Sequence, residues 1–329
     1  MPTNIAAKQP LITQLESANI NKPIVSICIP VKNGAPFIEQ AVTSVLKQSY
    51  RNFEIVIVDN CSTDNTALLI REMALRDSRI RFYSNDYDLG LVGNLNTCLK
   101  YACGVYVKFV LADDMLMSSC LEKMVGAINK QPSVFLVVAG RLIIDESGNS
   151  VALRHYSPKY TVVHGEKVIQ RCLFGRNYIG EPTAVMFRRC DATRGFRDDL
   201  IQLTDLEMWF HLLERGELVS LPEMLCAIRR HAGQLTVQNI KSGALIEDNV
   251  RLFEEYGKKP YIQNTWMNNF TRRVRMAYRV WISRKYLEPT RRKEVLKQHS
   301  IPLVYYLVLP FVGGLLICLR RVRRLFRMA

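Results

Sequence analysis

The feature that most constrains this sequence is a regular alternation of strand and helix patterns between residues 24 and 111. Apolar runs typical of buried strands occur at 24–30, 53–59, 79–84 and 105–111. The segments between them have apolar residues at helical spacing, and the first of these begins at Pro36, a residue suited to a first helical turn. Strands that alternate with helices indicate βαβ units. We therefore expect an α/β fold built on a mostly parallel, Rossmann-like sheet flanked by helices.

The positive charge of the chain is concentrated at its C-terminal end. The 329 residues have a net charge of +15, and residues 251–329 hold 18 Lys and Arg against 4 Asp and Glu, which leaves 27 against 26 for the remainder. A segment this basic is typical of contact with a polyanion, either a membrane surface or nucleic acid.

The nine cysteines include no Cys-x-x-Cys pair, so the sequence predicts neither a zinc site nor a disulfide framework.

An uncharged segment of 19 residues, "IPLVYYLVLPFVGGLLICL" at 301–319, interrupts the basic tail and is followed by "RRVRRLFR". It is just long enough to span a bilayer. Basic residues flank it on both sides, so the positive-inside rule gives no orientation. Pro310 and the pair Gly313–Gly314 favour a break, which leaves a single span, a re-entrant or interfacial hairpin, and a buried core helix as alternatives. The arginines that follow argue against the core helix, and the uncharged segment argues against nucleic-acid binding.

Polar residues cluster where three of the predicted strands end, as "PVKNG", "DNCSTDNT" and "ADD". Ligands of open parallel sheets bind at this edge. The chain lacks both G-x-G-x-x-G and a Walker A loop, so no glycine nest is available for phosphates. The adjacent carboxylates of Asp113 and Asp114 repel each other unless a cation joins them. We therefore expect them to hold Mg²⁺ or Mn²⁺, which would bind a diphosphate. The alternatives are helix capping by this pair and by Asp59.

Long stretches of the chain closely resemble the family 2 glycosyltransferases, which have the GT-A fold. The first is "VSICIPVKNGAPFIEQAVTSVLKQSYRNFEIVIVDNCSTDNT", and the resemblance continues through "NDYDLGLVGNLNTCLKYACGVYVKFVLADDMLMSSCLEKMV". Later segments that fit are "YIGEPTAVMFRR", "LTDLEMWFHLLERGE" and "LPEMLCAIRRHAGQLT". The resemblance covers about residues 23–240 and does not include the tail.

The resemblance implies roles for residues that bind the nucleotide sugar. Pro30, Val31 and Asn33 would line the nucleotide pocket. Asp59 would bind the base, with Asn60 beside it.

The resemblance also implies a metal site and a base. Asp114 would be the direct metal ligand, and Asp113 would contact the ribose or the water shell of the ion. Asp205 matches the general base, and His231 a position near the diphosphate, although a surface histidine after a strand is the alternative for His231. Leu111 stands where the metal motif usually begins with aspartate.

Together these features predict an inverting glycosyltransferase of the hexosyltransferase type. It would move a sugar from a nucleoside-diphosphate sugar to a lipid-linked or glycan acceptor at the cytoplasmic face of a membrane. We expect a flexible lead-in at 1–22, the catalytic domain at 23–240, a basic helical extension at 241–300 and a membrane-associating segment at 301–329. The alternatives are a non-catalytic protein or another metal-dependent α/β nucleotide-binding protein, tethered to the membrane in either case.

Overall fold

The computed structural model describes residues 22–282 and 289–298. The predicted lead-in and the segment at 301–329 therefore lie outside the described residues. The chain divides into two compact units. The first comprises residues up to Ile169 together with Asn177–Leu200 and Thr204–Ala232, and the second comprises Gln170–Arg176, Ile201–Leu203 and the residues from Gly233 onward.

The first half of the sheet is parallel, as the alternating pattern predicts. Its strands are β1 (Val25–Val31), β2 (Phe53–Asp59), β3 (Ile80–Ser84) and β4 (Tyr106–Phe109), arranged in the order β3-β2-β1-β4. The connecting helices are α1 (Ile38–Leu46), α2 (Thr66–Arg76) and α3 (Gly90–Tyr101). Every residue of β1 and β2 is buried, which is typical of parallel strands covered on both faces.

The second half of the sheet is mixed. Its elements are β5 (Met115–Leu116), α4 (Cys120–Ile128), β6 (Val134–Ile144), β7 (Ser150–Arg154), β8 (Thr161–His164), α5 (Gly165–Phe174), β9 (Val185–Arg188), α6 (Thr204–Leu213) and β10 (Glu217–Arg229). The strand order continues from β4 as β9-β6-β10-β5, and β9 runs antiparallel to both β4 and β6. The predicted α/β class is therefore confirmed, with parallel pairing throughout β1–β4 and again between β6 and β10.

A bulge bends β10 in its middle. The pairing of β10 with β6 shifts register between Leu221 and Met224, around Pro222. The bulge approaches Gly140 so closely that a Cβ there would lie 2.7 Å from the carbonyl oxygen of Glu223. Beyond the bulge, β10 continues beside β5, and this pairing brings the end of β10 to the residues that follow β4.

The described part of the second unit is mainly helical, as predicted. Its helices are α7 (Leu235–Ser242), α8 (Ala244–Tyr256), α9 (Trp266–Ile282) and α10 (Pro289–Gln298). The carboxylate of Asp248 on α8 accepts backbone hydrogen bonds from Ile201, Gln202 and Leu203, which joins that short segment to the unit. Within residues 22–282 and 289–298, no helix combines the length and apolar character needed to cross a bilayer.

Candidate active site

The loops after β1 and β2 interlock at one edge of the sheet. Val31 pairs with Asp59 in the parallel ladder, so both loops leave the sheet at the same level. Asn33 adopts a left-handed backbone conformation with φ of 51°. Its side-chain oxygen accepts the N–H of Thr63 at 2.8 Å, and its own N–H donates to the Ser62 hydroxyl at 2.8 Å. Pro30 and Val31 are buried, and the carbonyl oxygen of Val31 accepts the N–H of Asn60 at 2.8 Å, so their role in lining the nucleotide pocket stays a prediction.

Asp59 and Asn60 shape the loop that follows β2. The buried carboxylate of Asp59 accepts hydrogen bonds from the backbone N–H and the hydroxyl of Ser62. The amide of Asn60 donates to Asp88 at 2.5 Å, and its oxygen accepts the N–H of Leu89 at 3.0 Å. Asp59 therefore stabilises its own loop and does not cap α2, whose N-cap position is Asn65. A role in binding the base stays a prediction.

The two adjacent aspartates after β4 have different surroundings. Asp114 is 1% exposed, and both of its carboxylate oxygens accept hydrogen bonds. The Thr183 hydroxyl donates to one at 2.5 Å, and the backbone N–H of Arg229 donates to the other at 3.0 Å. Burial, followed by the charge of Asp113, raises the pKa of Asp114 well above its usual value. The carboxylate predicted to be the metal ligand is thus enclosed and already bonded.

Asp113 lies against His231. Its Oδ2 is 3.2 Å from Nε2 of His231, and the two side chains are 21% and 18% exposed. The structure therefore brings together two of the predicted residues from segments 118 positions apart in the chain. A carboxylate and an imidazole at this separation can bind one divalent cation from one side.

Arg229 fixes the backbone that carries Asp113. Its Nε donates to the carbonyl oxygen of Asp113 at 3.0 Å, and another guanidinium nitrogen donates to the carbonyl of Glu146 at 2.7 Å. The guanidinium lies over the ring of Phe37 at 4.6 Å, and that ring contacts His231 with a centroid separation of 5.1 Å. Because the side chain of Arg229 is buried and rigidly held, it positions both members of the Asp113–His231 pair.

The segment 180–183 connects the loop that carries Asp113 and Asp114 to α6. The Thr183 hydroxyl donates a hydrogen bond to Asp114, and the carbonyl of Gly180 accepts one from the indole N–H of Trp209 at 3.3 Å. Between them, Glu181 pairs with Arg141 at 2.8 Å and with Arg230 at 2.5 Å. Burial would raise the pKa of Glu181, but the two arginines outweigh it, so the pKa lies below its usual value.

Asp205 and Glu207, both in the first turn of α6, have separate environments. Glu207 is fully buried and accepts two hydrogen bonds from Arg194, at 2.8 and 2.5 Å. Asp205 is partly exposed, and one of its oxygens accepts the N–H of Leu206 at 2.7 Å. The structure thus gives Glu207 a role in packing and leaves Asp205 as the acidic residue of this turn that solvent reaches.

Three residues that organise the site were not predicted from the sequence: Thr183, Glu181 and Arg229. They lie in "GEPTAVMF" and "CAIRRHAG", segments that carried the family resemblance, but these three residues were given no role there. The signal that could have identified Arg229 is a charged residue at the end of an apolar strand, as in "LCAIRR". A charge in such a buried position requires partners, so it predicts a residue that organises its surroundings.

Within the described ranges, no group of three His, Cys, Asp or Glu side chains is placed to hold a metal ion by itself. Any cation at Asp113 and His231 would therefore need additional ligands from a substrate or from water. Divalent cations in phosphate-binding sites are commonly held in this way, by one or two protein carboxylates plus phosphate oxygens.

An open α/β sheet with polar loops and a carboxylate–imidazole pair at its strand ends is suited to binding a nucleotide. The model of glycosyl transferase family 2 matches residues 26–196, which is 171 of the 329 residues. The chain belongs to this family, and it is a glycosyltransferase.

Relatives of known sequence share most of the chain. A Mycobacterium tuberculosis protein named as uncharacterized, MT1568, is 37% identical over 227 residues, which cover 65% of this chain and 69% of the relative. The Escherichia coli enzyme WfgD is 29% identical over 198 residues, covering 60% of this chain and 73% of that enzyme. WfgD is named as a UDP-Glc:alpha-D-GlcNAc-diphosphoundecaprenol beta-1,3-glucosyltransferase.

Solved structures confirm the predicted GT-A fold. S. aureus TarS in complex with UDP-GlcNAc has a TM-score of 0.56 at 16% identity, covering 86% of this chain and 89% of that one. A mannosyltransferase from Pyrobaculum calidifontis in complex with GDP-Man and Mn²⁺ has a TM-score of 0.55 at 17% identity, covering 85% and 80%. At these identities the likeness establishes the fold alone.

Proposed function

We propose that this glycosyltransferase is an inverting enzyme of the hexosyltransferase type that uses a nucleoside-diphosphate sugar. The observation that carries the proposal is the Asp113–His231 pair, set at the strand ends and held there by Arg229. TarS in complex with UDP-GlcNAc and the mannosyltransferase in complex with GDP-Man have the same fold, which supports a donor of this class.

Asp113 and His231 are the residues we propose as protein ligands of Mg²⁺ or Mn²⁺, in place of the Asp114 assignment that the resemblance implied. Asp114 accepts hydrogen bonds on both oxygens and is enclosed, so it supports the loop and does not reach a ligand. When bound, the cation would supply charge stabilisation to the departing diphosphate. The Mn²⁺ in the mannosyltransferase structure supports a divalent ion of this kind.

Asp205 is the proposed general base. It would take the proton from the acceptor hydroxyl while that oxygen attacks the anomeric carbon, and the nucleoside diphosphate leaves from the opposite side with inversion. Partial exposure leaves the carboxylate of Asp205 reachable by an acceptor. In contrast, both carboxylate oxygens of Glu207 already accept hydrogen bonds from Arg194. A positioned base contributes roughly 10²–10⁴-fold to rate.

The proposed setting is the assembly of a cell-surface polysaccharide on a lipid carrier at the cytoplasmic face of a membrane. The name of WfgD specifies a lipid-diphosphate acceptor for that enzyme, which supports such an acceptor here. The basic residues from 251 onward would attract anionic lipid headgroups, and the segment at 301–329 would add apolar contact with the bilayer.

The test is release of nucleoside diphosphate from a panel of nucleotide sugars by full-length protein in detergent, with membrane extract as the acceptor source. We expect turnover with Mn²⁺ or Mg²⁺ and none with a chelator. Asp205→Asn should lower transfer by roughly 10²-fold or more while leaving donor binding intact, because a general base acts on the acceptor.

The matched control is Asp198→Asn, which removes a carboxylate from an exposed position before α6 and should retain full transfer. If Asp205→Asn lost donor binding as severely as transfer, Asp205 would have a different role. Turnover that persists after complete removal of metal would contradict the proposed metal site.

A further inference from the structure

Three arginines of α9 line a cleft in the second unit. Arg272, Arg275 and Arg279 are spaced by three and four residues, so they lie on one face of the helix. The rest of the wall consists of Leu173, Phe174, Gly175, Asn249, Phe253 and Met276. We call this the arginine cleft. It encloses about 290 Å³, part of which is open to solvent, and all of its residues belong to the second unit.

No acidic residue lines the arginine cleft. Among the residues that the structure describes, none forms an ion pair with Arg272, Arg275 or Arg279. Burial, followed by the charge of Arg275, lowers the pKa of Arg279 to about 10. Like charges three and four residues apart on a helix repel each other, and an enclosed charge without a partner is strongly unfavourable. The cleft therefore lacks a balancing anion.

Arg272 is held in place by stacking on an aromatic ring. Its guanidinium carbon lies 3.8 Å from the centre of the Phe253 ring, and its Nε is buried without a hydrogen-bond partner. Burial and the charge of Arg273 lower its pKa, and Glu254 on α8 opposes that shift. Because the stacked guanidinium is already held in place, it would lose little conformational freedom when its terminal nitrogens bind an anion.

A phosphate group fits this arrangement best. Arginine presents parallel N–H donors that match phosphate oxygens in pairs. Phe174, Phe253 and Met276 form an apolar side of the cleft, against which the carbon part of a phosphate ester would lie.

We propose that the arginine cleft is an anion site of the C-terminal unit that binds a phosphate group, carried either by a lipid headgroup or by a soluble phosphate. The proposal does not depend on the catalytic mechanism given above, since no residue of the cleft belongs to the proposed donor site.

Binding is tested on the full-length protein in zwitterionic detergent by titration calorimetry with inorganic phosphate. In a second arm, the protein is floated with phosphatidylcholine vesicles that contain or lack phosphatidic acid. Arg279→Gln should weaken binding roughly tenfold or more, the usual loss of a charge-assisted hydrogen bond. Arg273→Gln is the matched control, because it removes one charge from the same helix at a residue outside the cleft wall, and it should bind as the wild type does.

Binding of inorganic phosphate that Arg279→Gln weakens would identify a soluble ligand. Because the basic tail also attracts anionic vesicles, a lipid headgroup is identified only by flotation with phosphatidic acid that Arg279→Gln weakens and Arg273→Gln does not. The proposal is overturned if the wild type binds neither, or if both variants lose binding equally. Thermal unfolding shows whether a loss of binding reflects a folding defect of the variant. Without phosphate Arg279→Gln should be at least as stable as the wild type, and phosphate should raise Tm only when Arg279 is present. An equal rise in both proteins contradicts the proposal.

Discussion

Asp113 and Asp114 are neighbours in the chain, yet we expect their alanine variants to fail in different ways. Asp114→Ala removes the acceptor of the Thr183 hydroxyl and of the Arg229 N–H. Buried donors left unpaired cost about 1–3 kcal/mol each, so the free energy of unfolding should fall. Asp113→Ala should leave stability nearly unchanged and abolish metal-dependent turnover. Urea unfolding together with donor turnover distinguishes the two variants. An Asp114→Ala protein that keeps its stability but loses metal-dependent turnover would restore Asp114 as the metal ligand.

The separate roles of these aspartates could not be predicted from the sequence. Two adjacent carboxylates after a strand indicate a cation site, but their order in the chain does not reveal which of them is enclosed. That depends on Thr183 and Arg229, which lie 69 and 115 residues further along. By contrast, the spatial association of the loops at Asn33 and Asp59 follows from the parallel ladder alone, and it was predictable for that reason.

Among the secondary-structure elements, the connection between α3 and β4 is tightly constrained by its contact with β1. A Cβ added at Gly104 would lie 2.6 Å from the backbone nitrogen of Ser26 in β1. That strand is paired on both sides, with β2 and with β4, and cannot yield. Gly104→Ala should therefore lower the free energy of unfolding by about 1–3 kcal/mol, as overpacking of a core does.

Gly126→Ala in α4 is the matched control for that variant. A Cβ at this helical position would meet nothing within 4 Å, and alanine in a helix interior is favoured over glycine by about 0.5–1 kcal/mol. Chemical unfolding of both variants should give opposite signs. Equal destabilisation by the two would mean that steric contact with β1 is not the cause.

The elements differ in how far the sequence predicts them, and the reason is burial. Strands β1 and β2 are continuous apolar runs, and their predicted bounds lie within one residue of the observed ones. Strands β7 and β8 are short and largely exposed, and their apolar residues Val151, Leu153 and Val162 lie on the surface, so they do not form the continuous apolar run of a buried strand. The sequence indicates only a strand before His231 and not the full length of β10, because Pro222 and the bulge around it interrupt the strand pattern.

For the molecule as a whole, the distribution of charge predicts where the enzyme works. Removing residues 299–329 should release the protein from membranes, because those residues hold the uncharged segment and the final arginines. Vesicle flotation of the truncated and full-length proteins measures this. Any binding left in the truncated form should disappear at high salt, which screens surface charges. Retention on vesicles at high salt would show that the membrane contact lies elsewhere in the chain.

The enclosure of Asp114 also has a consequence for the order of events during synthesis. A growing chain folds from its N-terminal end, and one that has reached β4 already carries the loops after β1 and β2. Its Asp114 then has neither Thr183 nor Arg229, which arrive 69 and 115 residues later. We therefore expect the donor pocket to be completed only when β10 emerges, so an unfinished polypeptide on the ribosome cannot sequester nucleotide sugar.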